Sequence, residues 1–173
     1  MGQTPGIASP ALPALAETPP ALRACLFALG GLRLAVDVRN AREVAVFDEI
    51  TLVPRSPQSL VGVANLRGTV MPVVDIRGLL DLPVQRPGRS VRTLVLRDDP
   101  LQAAVVVDAV LGLEPFDEIR PPEPGDPGPA ASARQRFAVG HVKWGGESVT
   151  LLDAPKILEA LRPVRIGSGI VEG

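Results

Sequence analysis

Residues 60–77 read Leu60-Val-Gly-Val-Ala-Asn-Leu-Arg-Gly-Thr-Val-Met-Pro-Val-Val-Asp-Ile-Arg77. Two aliphatic runs flank Asn65, Arg67 and Gly68, and the second ends on an acid. The same arrangement returns later in the chain. Gly62 and Asp75 stand thirteen residues apart, as do Gly140 and Asp153. Each Asp follows an aliphatic pair, Val73-Val74 or Leu151-Leu152, and a second pair, Leu79-Leu80 or Ile157-Leu158, follows it. Further upstream, Ala35-Val36-Asp37 resembles Val106-Val107-Asp108. On that alignment the second copy is longer by seven residues, which fit inside the proline-rich stretch 121–135. Two copies of one small module account for the pattern.

Each module reads as β. Val, Leu and Ala runs alternate with turn signals at Gly30-Gly31, Asp98-Asp99-Pro100 and Gly145-Gly146. Strands are expected over 23–29, 32–38, 44–53, 59–66 (with room for an initial helical turn after Pro57), 69–76, 91–97, 101–113, 137–144 and 147–152, with Pro72 marking an edge or a bulge. Short helices are expected at 77–82 and 154–161. An Asp at the end of a strand can accept the first free N–H groups of the helix that follows, so Asp75 and Asp153 read as helix caps. Gly62 and Gly68 read as backbone requirements, and Asn65 as a turn residue that tolerates left-handed φ. About five strands per module suffice to close a small barrel and remove its edges.

Composition agrees with this frame. The 173 residues carry 18 Lys and Arg against 19 Asp and Glu, and only 3% are aromatic. Neither a basic patch nor a set of stacking rings is available for nucleic acid. One Cys, Cys25, excludes a disulfide framework and a thiolate zinc cage, and reads as a small buried hydrophobe. One His, His141, leaves little for metal binding or acid–base chemistry. No cofactor or metal is expected. An enzyme reading would have to rest on Asp37 and Asp75 alone, and a proline-peptide reader would need aromatics the chain lacks. No apolar run is long enough to span a membrane and no signal peptide is visible, so a cytoplasmic protein without membrane insertion is expected.

Residues 1–20 read as a disordered Pro- and Ala-rich tail, 121–135 as a mobile loop unable to sustain a helix, and 164–173 as a C-terminal tail. One domain fills 21–163, with a first barrel at about 21–85 and a second at about 90–163. Exchange of strands between the barrels stays open.

The 60–77 stretch resembles the signature of the CheW-type chemotaxis coupling proteins: Gly62, Asn65, Leu66, Arg67 and Gly68, then a strand with Pro72 ending in Asp75. The resemblance runs from about Ala24 to Leu161. It implies a mainly β fold of two SH3-like five-stranded barrels side by side with short helices. It also implies a non-catalytic adaptor that couples the cytoplasmic tips of chemoreceptors to the regulatory domain of a CheA-type histidine kinase. An adaptor of a gliding or pilus pathway that docks one partner only is the alternative. By the same resemblance Arg67 pairs with Glu43 near the partner surfaces, as a structural pair or as one that also tunes the interface. Val44, Val46 and Ile50 share an alternating face that is either barrel core or a docking patch. The implied partner-binding residues are Glu43, Val44, Val46, Asn65 and Arg67; Gly62, Gly68, Asp75, Gly140 and Asp153 form the structural motif. Trp144 either covers a barrel end or anchors an interface.

Overall fold

A computed structural model describes residues 22–122 and 129–162, the side chains of 129–132 aside. The expected tails and residues 123–128 lie outside the described residues. In chain order the elements are β1 (Leu22–Leu29), β2 (Leu32–Asp37), β3 (Ala41–Phe47), β4 (Leu60–Leu66), β5 (Thr69–Val74), β6 (Val91–Asp98), β7 (Leu101–Val106), β8 (Ala109–Phe116), α1 (Pro129–Arg136), β9 (Ala138–Trp144), β10 (Glu147–Leu152) and α2 (Ala154–Ala160).

They form two five-stranded curled sheets. Barrel I has the order β3-β6-β7-β5-β4, and barrel II the order β8-β1-β2-β10-β9. The barrels therefore do not divide the chain near residue 85. Each takes three strands from one half and a hairpin from the other: β6–β7 completes barrel I, and β1–β2 completes barrel II. The exchanged hairpins join by short parallel ladders, Val73 and Val74 of β5 opposite Ala104 and Val105 of β7, and Thr150 to Leu152 of β10 opposite Leu34 to Val36 of β2.

Burial explains why these hairpins read as continuous apolar runs. In β1, Leu22, Ala24 and Leu26 fill barrel II, while Cys25, Phe27 and Leu29 face a shared core between the barrels. In β6, Val91 and Val95 fill barrel I, while Leu94 and Leu96 face the shared core. Strands buried on both faces lose the apolar–polar alternation. Helix α2 adds Ala154, Ile157 and Leu158 to the shared core. Burial pushes the Cys25 thiol pKa up, in keeping with an inert core side chain.

The repeat is in the structure, on a slightly different alignment. Phe47 and Phe116 both end an outer strand inside a barrel. Thr51 forms a bridge with Val63, and Arg120 forms the matching bridge with His141. These pairs put the copies 69 residues apart up to Arg120 and 78 apart from Gly140 onward, so the second copy carries nine extra residues between them. Asp37 therefore matches Val106 rather than Asp108. Part of the extra length is α1. The run after Pro129 contains no further proline, and Pro is well tolerated in a first helical turn, so this stretch does sustain a helix.

Other boundaries also moved. The run 101–113 divides into β7 and β8, and the expected strand 44–53 is β3, which starts at Ala41 and ends at Phe47. Pro72 sits inside interior strand β5, not on an edge; its ladder with β7 starts only at Val73. Residues 77–81 form turns instead of a helix.

Candidate functional site

The two Gly–Asp pairs that opened the repeat play physically different parts. Gly62 and Gly140 are sites of close approach. A Cβ on Gly62 would stand 2.5 Å from the Thr51 carbonyl oxygen and 2.6 Å from Ile50 Cγ2. A Cβ on Gly140 would stand 2.5 Å from the Arg120 carbonyl oxygen and 2.8 Å from Ile119 Cγ2. Each glycine thus lets the segment after the outer strand cross the far strand and close the barrel. Thr51 and Val63 exchange both backbone hydrogen bonds, at 2.8 and 2.9 Å, and Arg120 and His141 do so at 2.8 and 2.7 Å.

Asp153 caps α2, accepting from the Lys156 N–H at 3.0 Å. Asp75 caps no helix. It is buried, and accepts from the Arg77 backbone N–H at 2.9 Å and from an Arg77 side-chain nitrogen at 3.1 Å. Arg77 is buried as well and reaches Asp108 at 2.6 Å, which in turn accepts from Gly30 N–H at 2.7 Å. This chain of contacts joins the end of β5 to the end of β7 and to the β1–β2 turn, at the seam between the barrels. Sequence reading missed Arg77. The signal was available: a cation two residues after Asp75, where the second copy has Pro155.

The turn beside the signature also differs from expectation. Asn65 lies within β4, and the two-residue turn is Arg67-Gly68, both with positive φ, 50° and 87°. The Asn65 side-chain oxygen accepts from Gly68 N–H at 2.7 Å and so supports the left-handed backbone from outside it.

Arg67 reaches back from this turn to pair with the Glu43 carboxylate. The pair lies on the surface: the Arg67 side chain is 73% exposed and Glu43 30%. The hydrogen bond that Arg67 donates to Glu43, and then the Glu43 charge, raise the Arg67 pKa further above its ordinary value. This is a surface ion pair, not a buried one. An exposed guanidinium already oriented by a carboxylate keeps donors for an outside acceptor.

Val44 and Val46 point out of barrel I and are about half exposed, while Ala45 and Phe47 point in. Ile50 does not join them; it packs against the barrel I core. Val46 lies on one wall of a shallow groove of about 510 Å³ that also contains Val63, Asn65 and Val70, with Asp48 and Glu49 at its rim. The structure therefore brings Val46 and Asn65 together across the barrel closure and puts Val44 beside them on β3. Glu43 and Arg67 form a separate pair outside the groove lining. Val70 is 64% exposed and Leu52 75%, and both were missed. Val70 was visible as the outward partner of Met71 in β5.

Among the described residues, no three His, Cys, Asp or Glu side chains gather where they could hold a metal ion. His141 lies beside Thr150, Oγ1 to Nδ1 3.5 Å. Trp144 is half-buried against the barrel II core, with the Arg33 guanidinium 5.5 Å from its ring centre.

Two curled sheets that turn valines outward over a shallow groove have the build of a protein-docking module. Comparison with known proteins makes the class specific. The CheW-like domain family matches residues 23–162. The chain is 35% identical over 138 residues to Protein FrzA of Myxococcus xanthus, covering 79% of this chain and 84% of that protein. It is 25% identical over 137 residues to the chemotaxis protein CheW of Klebsiella aerogenes, covering 78% and 80%. The crystal structure of the scaffolding protein TtCheW from Thermoanaerobacter tengcongensis matches with a TM-score of 0.64 at 26% identity, over 77% of this chain and 88% of that one. The chain belongs to the CheW-like family and is a coupling adaptor of that kind. Among the described residues no helix is long and apolar enough to cross a membrane.

Proposed function

We propose that this chain is a non-catalytic, cytoplasmic adaptor that holds the regulatory domain of a CheA-type histidine kinase to the cytoplasmic tips of chemoreceptors in a membrane-associated array. The observation that carries the kinase contact is the outer face of barrel I. Val44, Val46 and Val70 stand exposed there, and the Arg67–Glu43 pair lies nearby. Exposed valines offer apolar area to a partner, and an oriented ion pair offers direction. Glu43, Val44, Val46, Asn65 and Arg67 are the residues assigned to this contact; Asn65 acts mainly through the turn it supports.

Reconstitution with kinase and receptor fragments tests the reading. The expected result is a ternary complex in which kinase activity depends on the adaptor. Capture of one partner without the other would favour the single-partner adaptor and end the dual coupling role.

A further inference from the structure

Barrel II has a groove at the place that corresponds to the barrel I groove, and the two have opposite character. In barrel I the position of Thr51 is matched in barrel II by Arg120, Val63 by His141, Asn65 by Lys143 and Val70 by Ser148. The barrel I groove is lined by valines and two carboxylates, Asp48 and Glu49, with no cation. The barrel II groove, of about 420 Å³, contains Arg120 and Lys143 with no carboxylate in its lining. Helix α1, the extra segment of the second copy, walls it through Gln135.

The charges there are available. Both Arg120 and Lys143 are exposed. Glu118 meets Arg120 at Nε, 3.3 Å away, and among the described residues Lys143 has no ion-pair partner. On the other side of Ser148 a neighbouring groove adds Arg134 of α1. Arg33 in that groove is already paired with Glu147.

We propose that this groove docks an acidic peptide segment of a protein partner, with Arg120 and Lys143 as the recognising cations. This goes beyond the kinase contact of barrel I and does not depend on it. Charge complementarity selects the occupant: exposed cations around a groove, Lys143 without an ion pair among the described residues and Arg120 engaged by Glu118 at Nε alone, favour an anionic chain and speed its arrival. Nucleic acid is the poorer fit. Single strands are held by stacking on aromatic rings, and Phe27, Phe47, Phe116 and Phe137 are all buried.

The test is titration of the intact protein with decaglutamate at low salt, read by the fluorescence of Trp144, the single tryptophan and the neighbour of Lys143. Arg120 bridges His141 through its backbone, so a side-chain reversal leaves the barrel closure in place. The expected result is saturable binding that weakens with salt and falls at least about tenfold in the Arg120→Glu, Lys143→Glu double variant. The Asp48→Lys, Glu49→Lys double variant on barrel I should still bind, and so should Arg120→Lys, Lys143→Arg. Circular dichroism must show both charge-reversal variants folded; if the barrel II variant is unfolded, the milder Lys143→Gln must show the weakened binding in its place. Three results would overturn the proposal: no binding of decaglutamate by the native chain, undiminished binding by the folded barrel II variant, or binding of oligothymidylate as tight as that of decaglutamate.

Discussion

Barrel I closes where Thr51 bridges Val63, and barrel II closes where Arg120 bridges His141, each over a glycine whose Cβ would stand 2.5 Å from a backbone carbonyl oxygen. Inside, the two are filled alike, with Phe47 and Phe116 in matching places. Outside they part at the groove: Val46, Val63 and Val70 line that of barrel I, and Arg120 and Lys143 that of barrel II beside an inserted helix, although both outer strands turn an aliphatic to solvent, Val44 and Leu113. The acids that end β5 and β10 part in the same way: Asp153 caps a helix, and Asp75 is drawn into a buried contact with Arg77. One scaffold, kept by its backbone contacts, thus carries two different surfaces.

The exchanged hairpins make the barrels dependent on one another, and this gives the largest expected effect. Fragments 21–86 and 87–163 should each be unfolded alone, since either lacks the hairpin that completes its sheet. Mixed, they should recover the β signal in circular dichroism. A fragment that unfolds cooperatively on its own would break this part of the comparison.

Next comes the contrast between the two acids. Replacing Arg77 with Met leaves the buried Asp75 carboxylate unpaired, and should cost about 3–5 kcal/mol in urea unfolding. Asp153→Ala removes one cap hydrogen bond from α2 and should cost about 1 kcal/mol. Equal losses would mean that the seam contact has no special role.

The closure glycines should instead behave alike. Gly62→Ala and Gly140→Ala each force a methyl against a backbone carbonyl, and about 1–3 kcal/mol should be lost at either position. A loss at one and not the other would show that the closures are not equivalent.

Much of this was legible in the chain itself. The Gly–Asp spacing, the aliphatic pairs and the Gly-Gly turns are local features, and they mark two β modules by themselves. The hairpin exchange was not legible beyond a possibility. It rests on parallel pairings such as Val36 with Leu152, which join residues far apart in sequence and leave no local trace. The site was read in part. Glu43 and Arg67 came together as expected, but their exposure depends on how far the sheet curls. Asn65 reads as the turn residue because Asn tolerates left-handed φ; in the fold Arg67 adopts it, and Asn65 supplies the hydrogen bond that makes this bearable. Arg77 carries no such mark, since a cation after a strand looks like any solvated end.

The account turns on the outer face of barrel I as the kinase contact. The most direct test is a charge-exchange cycle at Arg67 and Glu43 in the reconstituted receptor–kinase system, with urea unfolding run beside it. Because the pair is on the surface, Arg67→Glu and Glu43→Arg should leave stability nearly unchanged, yet each should impair kinase control, and the double exchange should restore part of it. Normal ternary complexes and normal kinase activation by Arg67→Glu would contradict the assignment.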